Sequence, residues 1–483
     1  MRKNTIFLML YEVAMYLAPL ITAPYIARVL GTYGTGIYSY TYSIASYFIL
    51  FIQLGVSLYG RREIASKKRK KEVSITFFEI FISISIMFTL VSILYFIMMY
   101  GVFYEYKKYL IFQYFMLISA WLDISWLFFG LEDFKVAVSR NLIVKFLSMI
   151  LVFIFIKNST DISKYILIMT LSNLLSVVVM WISIRKHINI VKVSKKGIFK
   201  HFKGLLKLFV PVLAIQLYSI TDKLCLGLIS TVDSVGIYEN VYKISRVPVS
   251  VITAIGTVML PRITKIVSSG EKTQAKKYID KSLSITLIFA IGCAFGLIAV
   301  SANFVLLYLG KDFKEGINVL KLLSLVLMFI AWGNVFRMQY ILPNKLDNIY
   351  IKSVIIGAVV NIVLNLALIP KYSGTGAAIA SVIAEFIICF YQSYCIRDEF
   401  NFKKIFKENF IYLLSGLIML CFVQYVVSLL KLKVFYMLFL QILAGVVIYF
   451  ISIVVFESIT KRYILVDEIK RMYLILRKGR KND

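Results

Sequence analysis

The sequence predicts an all-α polytopic membrane protein with about fourteen transmembrane helices. Of its 483 residues, 60% are hydrophobic and only 17% are charged, and its mean hydropathy is +0.83. Apolar runs of about 20 residues recur along the chain, and each is long enough to cross a hydrocarbon core of about 30 Å. Basic residues concentrate in every second connection between those runs. A soluble protein of this length would need far more polar surface, so the soluble classes are excluded.

The apolar runs define the predicted elements in order, because a membrane-spanning segment must satisfy its backbone hydrogen bonds internally as a helix. The predicted spans are 6–28, 36–60, 74–101, 109–130, 137–156, 163–184, 205–229, 235–260, 282–308, 318–340, 348–369, 375–396, 408–430 and 434–456. Arg2 and Lys3 precede a first run that is too long for a signal peptide, so we expect it to be a true span.

The charge pattern predicts the orientation of these spans. The formal net charge is +30, from 55 Lys and Arg against 25 Asp and Glu. In a soluble protein this excess would suggest nucleic acid, but here it lies in connections near 61–72, 185–204, 261–277 and 397–407. The intervening connections are short and carry little charge. The positive-inside rule therefore places the basic connections and both termini in the cytoplasm, facing anionic lipid headgroups.

Two basic segments interrupt or follow the spans, a linker at 185–204 and a tail at 457–483. Both carry apolar residues between their lysines and arginines. Each is therefore either an amphipathic helix on the membrane surface or a solvated tether, and the sequence favours neither.

A pattern near the start of the chain recurs 200 residues later. The matching residues are Gly36, Ile37, Tyr38, Tyr42 and Ile44, answered by Gly236, Ile237, Tyr238, Tyr242 and Ile244. The same shift relates Arg62 to Arg262. A chance match of Gly-Ile-Tyr is the alternative. Two related halves, each with several spans, are the plan of many secondary transporters.

Ionisable residues inside the spans cost about 2.5–3.5 kcal/mol each to insert, so each is a candidate functional residue. They are Glu12, Arg28, Asp123, Lys145, Asp222, Lys223, Lys243, Arg246, Arg337, Lys352 and Glu385. Some have ordinary explanations. Arg28 and Lys352 lie near span ends, where a long side chain can reach the headgroups. Lys145 could pair with Asp123 or Glu132.

Cations outnumber acids among these residues, which predicts a basic cavity for an anionic, phosphorylated substrate. The predicted cavity cations are Arg28, Lys145, Lys223, Arg246 and Arg337, and further cavity candidates are Glu12, Tyr38, Tyr42, Asp123, Asp222 and Glu385. The tyrosines offer hydroxyls and ring faces for sugars, although packing between helices explains most of them equally well.

The sequence predicts no cofactor, metal site or disulfide. Its five cysteines all lie in apolar stretches, which is typical of free thiols: Cys225, Cys293, Cys389, Cys395 and Cys421. His187 and His201 lie in a basic loop. No phosphate-binding loop of the G-x-x-x-x-G-K type is present, which argues against direct use of ATP.

Several motifs together resemble one family, the Wzx-type O-antigen and capsule-repeat flippases. These polysaccharide transporters belong to the multidrug/oligosaccharidyl-lipid/polysaccharide exporter superfamily. The motifs are Pro19 to Pro24 (PLITAP), Arg28 to Gly31 (RVLG), Gly36 to Tyr40 (GIYSY), Asp123 to Phe134 (DISWLFFGLEDF), Leu342 to Lys345 (LPNK), Asn361 to Ala378 (NIVLNLALIPKYSGTGAA) and Ala384 with Glu385. The resemblance covers most of residues 1–400. Phe129 departs from the family, whose members often have Gln there, so a polar contact is lost.

The resemblance implies two pseudo-symmetric six-helix bundles, at 1–184 and 205–396, joined by the linker at 185–204. Accessory helices 13 and 14 would follow at 397–456. It also implies a bacterial plasma-membrane flippase, not an enzyme, that moves a polyprenyl-pyrophosphate-linked oligosaccharide to the outer leaflet by alternating access. Arg28, Lys223 and Arg246 would correspond to the family's cavity cations. A polysaccharide polymerase and glycosyltransferases are the expected partners, and nucleic acid is not.

Three other functions remain open on the sequence. A multidrug antiporter of the same superfamily needs acidic residues in its cavity, and Glu12 and Asp123 allow it. A lipid II flippase has the same composition. A membrane glycosyltransferase or polymerase usually carries catalytic carboxylates on a large outer loop, and every predicted outer loop here is short.

Overall fold

The structure is a computed structural model that describes the backbone of residues 2–430 and 432–465. Within these ranges the side chains of 2–19, 134–140, 208, 210–212, 214–219 and 428 are not described. Every regular element described is helical, which confirms the predicted all-α polytopic fold. The α-helices are α1 (Arg2–Gln53), α2 (Val56–Ala65), α3 (Lys70–Tyr100), α4 (Lys107–Leu122), α5 (Ser125–Gly130), α6 (Phe134–Phe155), α7 (Ile162–Ser183), α8 (Lys195–Ile229), α9 (Val232–Ser268), α10 (Lys272–Tyr308), α11 (Gly316–Phe336), α12 (Asp347–Cys395), α13 (Phe402–Cys421) and α14 (Val434–Thr460).

Short 3₁₀ and π turns adjoin these helices. The 3₁₀ turns are Tyr104–Tyr106, Ser159–Asp161, Ile184–Lys186, Lys311–Phe313 and Val427–Leu430, and the π turns are Arg337–Ile341 and Phe422–Val426.

The two longest helices each contain two predicted spans and bend between them. α1 bends at Gly31, whose φ of 69° lies in the left-handed region that glycine adopts without steric cost. α12 bends at Ser373 with a φ of 48°, which is uncommon for a residue with a side chain. In the described part of the chain, ten helical segments are long and apolar enough to cross a membrane, and Asn141–Phe155 of α6 is a shorter apolar segment.

The chain packs as two compact units, Met1–Asn240 and Val241–Asp483. The first contains α1 to α8 and the start of α9; the second contains the rest of α9 and α10 to α14. This division reflects packing, whereas the boundaries at 184 and 205 come from charge and family resemblance. Those boundaries remain a prediction.

Aromatic packing holds part of the first unit together. Phe77 of α3 stacks on Trp126 of α5 with ring centroids 5.4 Å apart, and both side chains are buried. Phe81, one turn along α3, stacks on Trp121 of α4 at 6.0 Å. Trp181 of α7 meets Phe81 edge-on at 5.1 Å. Pairs of this geometry add about 0.5–1.5 kcal/mol each beyond the area they bury.

A buried carboxylate fixes the end of the second unit. Glu457 on α14 is 0% exposed and accepts hydrogen bonds from the backbone N–H of Leu465 at 2.9 and 3.1 Å. The hydroxyl of Tyr412 on α13 donates to it at 3.3 Å. The chain reverses at Lys461, in the left-handed conformation, to make this contact. Of the predicted tail at 457–483, residues 457–460 belong to α14 and residues 461–465 follow it. The rest of the tail lies outside the described residues.

The linker at 185–204, for which the sequence left both a helix and a tether open, is partly helical. Residues 187–194 are irregular, but α8 begins at Lys195, and the Ser194 hydroxyl caps it by accepting from the Gly197 N–H at 2.9 Å. His201 lies inside this helix and is 4% exposed. Its ring nitrogens contact the Tyr59 hydroxyl at 2.8 Å and the Glu79 carboxylate at 3.3 Å. The sequence placed His201 in a basic loop, and contacts with α2 and α3 bury it in the folded protein instead.

Candidate functional site

Two glycines bring the copies of the repeat into contact within the first unit. A Cβ added to Gly36 would overlap the carbonyl oxygen of Val232, and one added to Gly236 would overlap that of Thr32. The second contact is the first with the two copies exchanged, because 232 and 236 are 32 and 36 shifted by 200. The Thr32 hydroxyl donates to the Asp233 carboxylate beside this crossing. The start of α9 therefore crosses α1 at a distance that only glycine allows.

A buried ion pair lies near this crossing. The Lys223 ammonium of α8 is 3.1 Å from the Glu239 carboxylate of α9, and their side chains are 11% and 14% exposed. The sequence analysis selected Lys223 but missed Glu239. The signal was available, since Glu239 is an acid inside the predicted span 235–260. Leaving either charge buried without the other would be expensive, so the pair is a defined electrostatic element.

Three tyrosines form an aromatic surface beside the pair. Tyr38 stacks on Tyr42 with ring centroids 5.9 Å apart, and Tyr165 of α7 meets Tyr38 edge-on at 4.8 Å. Tyr38 follows Gly36 by two residues and Glu239 follows Gly236 by three, so the close crossing at these two glycines brings the tyrosines near the pair. The structure thus brings the predicted Tyr38, Tyr42 and Lys223 together. Tyr165 was missed, because nothing local marks one tyrosine in an apolar helix.

Other polar contacts brace the same helices. The Tyr238 hydroxyl donates to the buried Asp222 carboxylate at 2.6 Å, joining α8 to α9. The hydroxyls of Tyr47 and Thr221 are 2.7 Å apart and join α1 to α8. Asp222 therefore forms a hydrogen bond with α9, as its sequence neighbour Lys223 forms an ion pair with α9.

The remaining predicted residues of the first unit have separate environments. The Asp123 carboxylate accepts from the Ser125 N–H at 2.8 Å, where α4 gives way to α5. Lys145 is half-buried on α6. Arg28 is exposed on α1, one turn before the bend. Exposure permits both the headgroup contact and the cavity contact, so the role of Arg28 stays a prediction. Glu12 lies outside the described side chains.

The second unit holds the other predicted candidates. The Arg246 guanidinium lies 4.5 Å from the ring centroid of Tyr242, the repeat counterpart of Tyr42. Arg337 donates to the Asn334 side-chain oxygen at 2.8 Å and lies 5.3 Å from the Tyr350 ring. Both guanidinium groups are half-buried and stacked on an aromatic ring. Glu385 is half-buried on α12.

The arrangement in the first unit suits recognition of an anionic group attached to a polar, planar-faced ligand. Lys223 supplies a cation that is largely withdrawn from water, where a phosphate oxygen gains more from it than at the surface. Tyr38, Tyr42 and Tyr165 supply hydroxyls and ring faces next to it. Glu239 neutralises the cation in the structure described, so an incoming anion would take its place.

A family model described as "Polysaccharide biosynthesis protein" matches residues 1–267, more than half of the chain. The chain belongs to this family. The resemblance drawn from the motifs is thereby confirmed, and the match contains every residue of the site in the first unit.

Two curated relatives and one solved structure are similar to this chain. The chain is 25% identical over 407 residues to the "Putative O-antigen transporter" of Escherichia coli (strain K12), covering 83% of this chain and 97% of that protein. It is 22% identical over 405 residues to a protein of the same name from Shigella dysenteriae, covering 82% and 100%. Its fold is similar to "Lipid II flippase MurJ, inward closed conformation", with a TM-score of 0.75 and 19% identity over 94% of this chain and 100% of that one.

Proposed function

We propose that this protein is a flippase that moves a polyprenyl-pyrophosphate-linked oligosaccharide repeat unit from the cytoplasmic to the outer leaflet of a bacterial plasma membrane. The observation that carries the proposal is the buried Lys223–Glu239 pair beside the tyrosine surface. Membership in a polysaccharide biosynthesis family and the names of the two O-antigen relatives support it. The role is transport for cell-surface polysaccharide synthesis, not catalysis.

In this mechanism the pyrophosphate of the substrate replaces Glu239 as the partner of Lys223, and Glu239 takes up a proton as it leaves the pair, because a buried carboxylate without its cation would be expensive. A pyrophosphate with two negative charges competes well with one carboxylate, and hydrogen bonds between charged groups are the strong ones. The first sugars then lie against Tyr38, Tyr42 and Tyr165. Arg28, Arg246 and Arg337 remain proposed contacts elsewhere along the path.

Alternating access moves the headgroup while the prenyl chain stays in lipid. Both termini face the cytoplasm in this proposal, as the basic connections predict. An inside-negative potential favours outward movement of the pyrophosphate by about 2.3 kcal/mol per charge per 100 mV. The potential alone can therefore drive the step. Glycosyltransferases would supply the substrate, and a polymerase would use the product.

Transport in proteoliposomes tests both the function and the site. A fluorescent polyprenyl-pyrophosphate oligosaccharide is placed in one leaflet and its arrival in the other is followed. We expect K223M/E239M to transport roughly tenfold more slowly or worse, because it loses a charged hydrogen bond to phosphate but leaves no buried charge unpaired. Lys352→Met, which removes an exposed lysine of α12, is the matched control and should transport normally.

The charge-exchange variant K223E/E239K separates the site from a structural role. It keeps the pair but moves the cation from α8 to α9. If the pair only joins helices, this variant and K223M/E239M should both transport at the wild-type rate, and the proposed site is then wrong. If wild-type protein moves no polyprenyl-pyrophosphate glycan but exports cationic dyes against a proton or sodium gradient, the flippase proposal is wrong.

A further inference from the structure

The second unit contains an apolar groove that the transport proposal does not use. Its volume is about 410 Å³, and it lies between α10, α11, α12 and α13. Six of its thirteen lining residues are aromatic, namely Phe329, Trp332, Phe386, Phe390, Phe406 and Phe410. The last four are between 40% and 59% exposed, so the groove is open along one side.

Aromatic rings lead from this groove to cations at the end of α12. Phe386 stacks on Phe390 at 6.0 Å, and Phe390 stacks on Tyr394 at 6.4 Å. The Arg397 guanidinium then lies over the Tyr394 ring, 4.1 Å from its centroid. The Nη1 group of Arg397 also donates to the Tyr394 backbone carbonyl at 3.2 Å, so the ring and the carbonyl together hold the guanidinium, and its remaining N–H groups can meet an anion.

The opposite wall, α13, has the same order of groups. The rings of Phe410 and Phe406 pack with centroids 5.8 Å apart, and Lys403 lies one turn before Phe406 on the same helix. On both walls, aromatic residues line the groove and a cation lies at the end where α12 finishes and α13 begins.

Arg397 and Lys403 both line a second cavity of about 470 Å³, formed by the connection between α12 and α13. Two acids, Asp398 and Glu399, line the same cavity, and each contacts a cation. Glu399 pairs with Lys276 at 2.9 Å, and that contact lowers the pKa of Glu399. Asp398 is 4.0 Å from Arg397, which is at the limit of an ion pair. Lys403 makes no ion pair with any residue that the structure describes. Arg397, Lys403 and the neighbouring Lys276 thus outnumber the acids Asp398 and Glu399, which leaves one positive charge in excess at the cavity.

We propose that the groove and this cavity together bind one anionic glycerophospholipid. An acyl chain lies between the aromatic walls, and the phosphate is held by Arg397 and Lys403. Basic pockets between membrane helices bind anionic lipid headgroups by the same charge complementarity. The lipid covers four exposed phenylalanines and ties α12 to α13, the first of the accessory helices. The inference is independent of which substrate is transported.

Trp332 reports directly on the groove. The chain has four tryptophans, and the other three, Trp121, Trp126 and Trp181, lie in the first unit. The Trp332 indole donates to the Ser393 hydroxyl at 2.9 Å, and both residues line the groove. The full chain is placed in phosphatidylcholine nanodiscs that contain increasing mole fractions of phosphatidylglycerol brominated on one acyl chain. Subtracting the quenching measured in Trp332→Phe isolates the signal of Trp332.

Brominated phosphatidylglycerol should quench Trp332 at a mole fraction roughly tenfold lower than brominated phosphatidylcholine. R397Q/K403Q should lose this preference. The matched control K195Q/K196Q, which removes the same charge from two exposed lysines of α8, should keep it. Equal quenching by both lipids, or a preference that survives in R397Q/K403Q, would overturn the proposal. Relief of quenching by unlabelled polyprenyl phosphate, but not by excess unlabelled phosphatidylglycerol, would assign the groove to the transported lipid instead.

Discussion

At the scale of single residues, two neighbouring charged groups of α8 have their partners on another helix. Lys223 and Asp222 are neighbours in sequence, yet each contacts α9, through Glu239 and Tyr238 respectively. Removing one member of a buried ion pair typically costs about 3–5 kcal/mol, whereas replacing both by apolar residues is often nearly neutral. For this reason the transport test uses paired substitutions.

His201 is the residue whose environment departs most from its sequence context. Burial lowers the pKa of His201, because it disfavours the charged imidazolium; Lys200 and Lys67 act in the same direction. Glu79 and Glu63 act in the opposite direction without overcoming burial. The folded protein therefore binds fewer protons at this site than the unfolded chain, whose histidine has a pKa of about 6.5.

This shift predicts a loss of stability in mild acid. The contribution of His201 is present above a pH of about 6.5 and is lost as the pH falls from there toward the lower pKa of the folded protein, by at most about 1.4 kcal/mol per pH unit. Thermal unfolding in detergent between pH 8 and pH 5 measures it. His201→Gln should flatten the decrease in Tm with acid.

His187→Gln is the control for this measurement. His187 is 25% exposed and lies 3.5 Å from the Asp133 carboxylate, so it is not buried as His201 is. If the two single variants and the wild type show the same pH dependence, burial of His201 is not its source.

At the scale of elements, helix crossings and bends rest on few positions. α1 meets the start of α9 where Gly36 and Gly236 each face a backbone carbonyl of the other copy. Cα–H groups at such close crossings contact carbonyl oxygens, and small residues are enriched there in membrane proteins. The repeat therefore has a packing reason: the same short motif supplies both sides of one contact.

Adding one methyl group at this crossing should destabilise the protein. We expect Gly36→Ala to cost about 1–3 kcal/mol, because the carbonyl of Val232 is backbone and cannot rotate away. Gly296→Ala in α10 is the matched control, since nothing lies within 4 Å of its added Cβ. That change should stabilise α10 by about 0.5–1 kcal/mol.

Thermal unfolding of both variants gives the comparison. Gly236→Ala should resemble Gly36→Ala, and the double variant should cost less than the sum, because both residues belong to one contact. A Tm for Gly36→Ala equal to that of Gly296→Ala would show that the helices do not meet this closely.

At the scale of the whole molecule, the alternation of basic and weakly charged connections predicts one orientation in the membrane. Lys192 lies in a basic connection and Lys157 in one of the opposite kind, and both are exposed. With the exposed Cys395 and Cys421 replaced by serine, Lys157→Cys should react with a membrane-impermeant maleimide in intact cells. Lys192→Cys should react only after permeabilisation. The reverse pattern would contradict the proposed orientation.

The sequence alone was sufficient for the class of fold, the spans and the repeat. Each of these follows from the sequence without knowledge of its contacts: the spans from hydropathy over about 20 residues, the predicted orientation from the spacing of basic connections, and the repeat from matching residues 200 positions apart. It also selected Lys223, because a charge in a span is costly wherever that span lies, and Tyr38 and Tyr42, because their hydroxyls and ring faces suit sugars.

Only the tertiary structure decided what these residues contact. Glu239 and Tyr165 enter the site from α9 and α7, and His201 is buried by α2 and α3. Hydropathy predicts neither the close contact of Gly36 with Val232 nor the groove between α10, α11, α12 and α13. The reason is physical: the spans are apolar on most sides, so the sequence specifies that they are helices but not which faces meet. That choice is made by close packing and by pairing of the few polar groups between helices.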